Sequence, residues 1–145
     1  MKKNFALELQ EGFISLVAED DNSVAERRAP LGKKFIDFKR IKKGCNIIHE
    51  DCSGFPEDSK GNASNIYCLD DSFQIKWSIE VPLDNNCFPN PIQWHRKMEK
   101  KNDSKGNLNL TYVTNTETFT CADWRGVTVS VEYETGKTIE SELTK

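Results

Sequence analysis

The fold is decided by the stretch Phe119-Thr-Cys-Ala-Asp-Trp-Arg-Gly-Val-Thr-Val-Ser-Val-Glu-Tyr-Glu-Thr-Gly-Lys-Thr-Ile139. From Val127 to Tyr133, valine or tyrosine alternates with polar residues, a period of two that predicts a half-buried strand. Gly126 before this strand and Gly136 after it predict turns, because glycine adopts the positive φ that tight hairpins require. The stretch therefore predicts a β-hairpin that supports the fold, with recognition left to the irregular loops.

The same alternation recurs upstream. A second hairpin is predicted between Asn65 and Glu80, where Ile75, Trp77 and Ile79 share one face. Further strands are predicted at residues 5–9, 13–18 and 108–112. About seven to nine short strands at such turn spacings predict an all-β fold. Antiparallel meanders are expected, because the connections are too short for parallel crossovers.

Two segments leave room for one or two short helices. From Lys33 to Gly44, apolar residues at helical spacing with a glycine at the end fit a helix, although residues 35–38 fit a short strand equally well. The charged segment from Trp94 to Lys105 also fits one short helix. The length of 145 residues suits one domain, residues 1–145, with a real hydrophobic core.

The charge is unevenly distributed along the chain. The formal net charge is −3, but Arg96 to Lys105 carries five basic and two acidic residues and leaves −6 for the remainder. An acidic protein is repelled by a phosphate backbone, so no direct binding of nucleic acid is predicted. The basic segment is better explained as an exposed, solubilising face. A basic protein is the better match for a partner.

Compartment and cysteine state are predicted together. Glu8 and Glu11 interrupt any signal-peptide core, and no apolar run is long enough to span a bilayer. The sequence therefore predicts a cytoplasmic protein without membrane contact. Its five cysteines are odd in number and irregularly spaced, so buried reduced thiols are expected.

One cluster of soft ligands could suggest a metal. Cys45, His49 and Cys52, with Cys68 beyond them, offer the ligand types of structural zinc. Their spacing fits no common zinc-finger pattern, so independent reduced cysteines are favoured. No metal or other cofactor is predicted.

Catalytic motifs are missing from the sequence. His49 and His95 are the two histidines, and neither lies in a recognisable nucleophile motif. Asp70 and Asp71 could imitate a general acid/base pair, but adjacent acids at a hairpin turn are far more typical of solvated turn residues. The sequence therefore predicts a protein that is not an enzyme.

The two best hairpins resemble each other. Ile66-Tyr-Cys-Leu-Asp70 followed by Ile75-Lys-Trp-Ser-Ile79 matches Val129-Ser-Val-Glu-Tyr-Glu-Thr-Gly-Lys-Thr-Ile139. The unit resembles a blade of the quinoprotein-type β-propellers, in which an alternating strand, an Asp-x-x-x-Gly-Lys turn and an aliphatic-Trp strand follow one another. The first copy lacks the turn glycine, and the second has Glu134 for aspartate and no tryptophan. A propeller needs at least about four blades, so the blade-like meanders are expected to pack as a small sandwich or partial propeller.

Residues 64–145, including Ala122-Asp-Trp-Arg-Gly126, are also similar to small bacterial immunity proteins of toxin systems, among them contact-dependent growth inhibition. These couple an Ile-Tyr-x-Leu-Asp…Trp hairpin to a terminal Trp-x-Gly…Thr-Gly-Lys hairpin. The resemblance implies an immunity protein that occludes the active site of a cognate toxin domain, expected to be a basic nuclease. The alternative is a non-catalytic interaction module unrelated to toxin immunity.

The contact residues follow from that interpretation. Acidic loops would complement a basic cleft around an aromatic anchor. Trp94 and Trp124 are the predicted anchors because both lie near turns, whereas Trp77 faces the core. The predicted partner-binding residues are Trp94, Trp124, Asp123, Asp70, Asp71, Glu50 and Asp51.

Overall fold

A computed structural model describes residues 4–81, 85–102 and 104–143, which form eleven strands and no helix. This confirms the predicted all-β class. Within these ranges no element could cross a bilayer as a helix. The strands are β1 (Phe5–Gln10), β2 (Phe13–Ala18), β3 (Val24–Arg28), β4 (Phe35–Lys42), β5 (Cys45–Glu50), β6 (Ile66–Leu69), β7 (Ile75–Ser78), β8 (Gln93–Asn102), β9 (Leu108–Ala122), β10 (Val127–Glu132) and β11 (Thr138–Leu143).

The strands form three antiparallel meanders. Sheet 1 has the order β1-β2-β3, sheet 2 the order β4-β5-β6-β7, and sheet 3 the order β11-β10-β9-β8. Neighbours in a sheet are neighbours in the chain, as short hairpin connections require. The three sheets of three or four strands are consistent with the predicted small sandwich or partial propeller.

Both segments that could have been helices are strands. β4 pairs with β5 in the register Phe38↔Ile48, so the strand alternative for Lys33 to Gly44 is correct. β8 pairs with β9 through Asn102↔Leu108, so the helix considered for the charged segment is wrong. In both cases pairing with a neighbouring strand overrides a local pattern that fits either structure.

Sheet 2 is the middle layer. One of its faces packs against sheet 3 in a cluster that contains Ile47, Trp77, Phe119 and Val131. Its other face packs against sheet 1 in a cluster that contains Leu7 and Ile48. β5 and β6 are consequently buried along their whole length. Polar residues of β5 are therefore buried too, and each one needs an internal partner.

Three turns share one hydrogen-bond pattern. They begin at Asp58, Asp70 and Asp123. In each, one carboxylate oxygen accepts hydrogen bonds from the backbone N–H groups two and four residues later. The fourth residue has positive φ: 76° at Gly61, 63° at Phe73 and 92° at Gly126. A bulky residue rarely adopts this conformation, and Phe73 does so with its ring buried between sheets 1 and 2 beneath the Arg28 guanidinium.

Candidate partner-binding surface

Glu50, one of the predicted partner contacts, lies inside the protein. Its carboxylate is fully buried and accepts hydrogen bonds from the backbone N–H groups of Leu31, at 3.0 Å, and Gly32, at 2.8 Å. The hydroxyl of Tyr67 donates a third bond to it. Burial, together with this bond to Glu50, raises the pKa of Tyr67. Glu50 holds the connection between sheets 1 and 2 and has no surface to offer a partner.

Asp123, another predicted partner contact, is also buried. One of its carboxylate oxygens accepts from the N–H groups of Arg125, at 3.0 Å, and Val127, at 2.9 Å. The other accepts from the side-chain amide of Asn86 at 2.7 Å. The carboxylate is the acceptor that closes the turn at 123–127, and it supports the neighbouring residues from below.

The remaining predicted acids do not form one patch. Asp70 closes the β6–β7 turn through the N–H groups of Ser72 and Gln74. Asp71, also at this turn, accepts hydrogen bonds from the Arg40 guanidinium at 2.6 Å and from Asn46 at 3.0 Å.

Burial acts to raise the pKa of Asp71, but the hydrogen bonds from Arg40 and Asn46 outweigh it, so that the pKa is lowered. Asp51 follows the end of β5, with one carboxylate oxygen 3.9 Å from the ammonium of Lys34. Asp71 bonds to Asn46 near the start of β5, so these acids lie at opposite ends of that strand.

Trp124 is exposed and held in place at the same time. The residue is 59% exposed, although its indole N–H donates a hydrogen bond to the carbonyl of Asn85 at 3.2 Å. Its backbone N–H donates to the carbonyl of Cys87 at 3.2 Å. The Arg125 guanidinium lies 5.8 Å from the centroid of the indole ring. The backbone of Trp94 lies in β8 opposite Phe119, but its side chain lies outside the described residues.

The segment at 85–88 joins Trp124 to the Asp58 turn. The Asn85 N–H donates to the Lys60 carbonyl at 3.0 Å, and the Asn86 N–H donates to the Asn62 side chain at 3.2 Å. Asn86 also reaches Asp123, so it bonds to both aspartate turns. We call the residues Trp124, Arg125, Asn85 and Lys60 the Trp124 surface.

Sequence reasoning missed Lys60, Asn85 and Asn86. A signal existed for the first of them, because the pentapeptide Asp-Ser-Lys-Gly-Asn occurs at 58–62 and again at 103–107. An aspartate followed three residues later by glycine is the pattern of the turns at 58 and 123, and Gly106 shares their positive φ. Asp103 itself lies outside the described residues. No local pattern announces Asn85 and Asn86.

Cys52 and Cys87 form a disulfide, which corrects the prediction of five reduced thiols. Their Cα atoms are 6.1 Å apart, within the normal range for such bonds. Cys45, Cys68 and Cys121 are free and buried, as expected. The disulfide removes Cys52 from the zinc cluster considered above, and no group of three possible metal ligands occurs among the described residues.

His49 makes the folded state sensitive to acid. The ring is fully buried, its Nε2 lies 2.6 Å from the carbonyl of Phe88, and its Nδ1 has no hydrogen-bond partner in the described structure. Nε2 therefore carries the proton and donates it to that carbonyl. Burial lowers the pKa of His49 below its ordinary value.

We expect stability to fall on acidification because the unfolded chain binds a proton that the folded chain resists. The His49 contribution is fully present above the unfolded pKa of about 6.5 and is lost progressively below it. Urea unfolding at about pH 8 and pH 5.5 measures the loss. His49→Gln, which cannot titrate, should lose less over the same interval. Equal losses in both proteins would contradict the assignment.

A cleft of about 370 Å³ lies on sheet 3. Neutral polar residues line much of it, including Asn90, Gln93, Thr120 and Thr128. Cys121 also borders the cleft, but burial raises the pKa of its thiol. A protonated thiol is a poor nucleophile, so Cys121 is not activated.

The comparisons with known proteins add no assignment. No protein-family model matches the chain. No curated protein matches it either.

Proposed function

We propose that this chain is a non-catalytic immunity protein. It binds a cognate toxin domain through the Trp124 surface and thereby neutralises it. We expect this toxin domain to be a nuclease. The observation that carries the proposal is an exposed tryptophan fixed by its own indole N–H bond to Asn85. Interface hot spots are enriched in tryptophan and arginine. An anchor fixed before binding loses less conformational entropy when a partner docks.

The resemblance to immunity proteins includes the same turn. Asp123-Trp-Arg-Gly126 belongs to the stretch that carries the resemblance, and its aspartate and glycine are the residues that shape the turn. Trp124 and Arg125 occupy the two positions between them. In this motif Asp123 and Gly126 build the turn, and Trp124 and Arg125 are exposed. This arrangement supports toxin binding.

Truncation of Trp124 tests this proposal. Trp124→Ala is expected to weaken binding of the toxin domain by about 100-fold or more, the effect of losing a hot spot. Its free energy of unfolding should change by less than about 1 kcal/mol, since the side chain is largely exposed. Calorimetric titration and urea unfolding measure the two effects. The toxin to be tested is the product of a neighbouring gene, and its co-expression with this protein should also show rescue of growth.

Leu108→Ala is the matched control. Leu108 has the same exposed fraction of 59%, but it lies at the start of β9. It should leave binding and growth rescue unchanged. Unfolding of Trp124→Ala, or equal binding losses in both variants, would show that Trp124 is not the anchor. Failure of the wild-type protein to bind and neutralise the toxin would reject immunity.

A second candidate is an interaction module of an oxidising compartment, and the Cys52–Cys87 disulfide favours it. Structural disulfides persist in secreted and periplasmic proteins and are rare in the cytosol. Immunity in the cytoplasm requires the protein to fold with Cys52 and Cys87 reduced. Thiol alkylation in intact cells, followed by mass spectrometry, separates the two. Alkylated Cys52 and Cys87 favour cytoplasmic immunity, and the intact disulfide favours the second candidate.

A further inference from the structure

The turns at 58–62 and 123–127 carry charged residues that differ in their exposure and hydrogen bonding. The Asp123 carboxylate is buried. Asp58, which is exposed, uses one oxygen to close its own turn through the backbone N–H groups of Lys60 and Asn62. The Arg125 and Lys60 cations are exposed in the same two turns.

Backbone bonds fix Lys60 close to Trp124. The Lys60 carbonyl accepts from the N–H of Asn85, and the Asn85 carbonyl accepts from the indole of Trp124. Asn85 thus connects the backbone of Lys60 to the aromatic ring through two hydrogen bonds. Arg125 is connected more directly, since its guanidinium lies near the ring itself.

We propose that the Trp124 surface binds an acidic protein segment, in which an apolar pocket receives the indole and carboxylates pair with Arg125 and Lys60. This inference rests on the proposed function and specifies the chemistry of the partner. It reverses the expectation of a basic contact, because Glu50 and Asp123 are buried and Asp71 is paired with Arg40. An arginine guanidinium binds a carboxylate through two parallel hydrogen bonds, which adds orientation to the contact.

A protein partner is favoured over a nucleic acid. Affinity for nucleic acid grows with the number of phosphates that are neutralised. The Trp124 surface offers two cations, and the whole chain carries a formal charge of −3. A stacked base would use the tryptophan, but the electrostatic contribution would be small. A protein partner with carboxylates beside an apolar pocket would contact all three exposed side chains, those of Trp124, Arg125 and Lys60.

A displayed library of random dodecapeptides tests the inference. Selection on the wild-type protein is followed by removal of peptides that also bind Trp124→Ala. We expect aspartate and glutamate to be enriched about threefold or more beside large apolar residues, because complementary charges select partners. For the selected peptide, Arg125→Glu should weaken binding by about 10-fold or more and Lys60→Glu by a smaller factor. Glu57→Gln, in the exposed loop before the Asp58 turn, should have no effect.

Each other outcome overturns the inference in a distinct way. Enrichment of lysine and arginine would reverse the charge of the partner but keep Trp124 as the anchor. Absence of Trp124-dependent peptides would reject the surface as a site for protein segments. Trp124-dependent binding of a dodecathymidine strand, tighter than that of the peptide, would assign the surface to nucleic acid. The proposed function is judged separately, by growth rescue from the co-expressed toxin.

Discussion

Replacing Glu50 by alanine is expected to lower the free energy of unfolding by about 4 kcal/mol, the size of effect seen when a buried charged group is removed from its partners. Three donors lose their acceptor: the N–H groups of Leu31 and Gly32 and the hydroxyl of Tyr67. Hydrogen bonds to a charged group contribute about 1.5–3 kcal/mol each. The contributions are not additive, since water can reach the vacated space and satisfy some donors.

The position of these donors explains why the loss should spread. Leu31 and Gly32 lie in the connection between β3 and β4, which joins sheet 1 to sheet 2. A Cβ added at Gly32 would lie 2.9 Å from the backbone of Phe55, so the connection packs tightly against the loop after β5. Without Glu50, Leu31 and Gly32 lose the two hydrogen bonds that hold their backbone in that narrow place. The docking of sheet 1 should therefore weaken together with the local hydrogen bonds.

Urea unfolding measures this loss, with an unchanged dependence on denaturant as the sign that the same cooperative transition is observed. Glu50→Gln keeps a carbonyl acceptor and should cost roughly half as much as alanine. Glu57→Ala is the matched control, because Glu57 is exposed, and it should change stability by less than about 0.5 kcal/mol. Equal stabilities of the two alanine variants would show that the buried carboxylate contributes nothing.

Strands with regular alternation were predictable, and irregular ones were not. β10 alternates without interruption and was predicted from sequence with its turns. β4 was ambiguous, and the structure shows why: its pairing with β5 shifts register between Phe35 and Asp37 and again between Arg40 and Lys42. Each bulge adds a residue on one strand and breaks the period of two. The resulting spacing of apolar residues fits a helix as well as a strand.

The candidate site was predictable only in part. Trp124 was predicted as an anchor because it lies near a turn, and the structure places it at the surface. The burial of Asp123 could not be predicted, because an aspartate that closes a turn has the same local sequence as one that faces a partner. Asp123 and Glu50 differ from a surface acid only in what tertiary packing brings to them. That information comes from residues far away in the chain, such as Asn86 and Tyr67.

The pairing of the cysteines could not be predicted from the sequence either. Five cysteines permit many pairings, and spacing alone does not choose among them. Cys52 and Cys87 meet because Asn65, just before β6, bonds both to the end of β5 and to Phe88. This side chain brings the loop after β5 next to the segment at 85–88. The disulfide is thus a consequence of tertiary structure.

Removal of that disulfide has the second large expected effect. The double variant Cys52→Ser, Cys87→Ser should lose about 3–4 kcal/mol of stability, because the cross-link closes a loop between residues 35 apart and restricts the unfolded chain. Urea unfolding with and without a reductant provides the test. Reductant should destabilise the wild-type protein by a similar amount and leave the double variant unchanged. A wild-type protein that is indifferent to reductant would contradict the prediction.

The same variant separates stability from recognition. The Cys87 carbonyl accepts a hydrogen bond from the backbone N–H of Trp124, so one of the disulfide cysteines is bonded directly to the anchor residue. If the cross-link keeps the Trp124 surface rigid, the double variant should bind its partner about 10-fold more weakly, even at temperatures where it is fully folded. Without the cross-link, binding must order the segment at 85–87, and this ordering reduces the binding free energy. Titration of the folded variant measures this. Unchanged affinity would mean that Asp123 and Asn86 suffice to hold Trp124, and the disulfide would then act on stability alone.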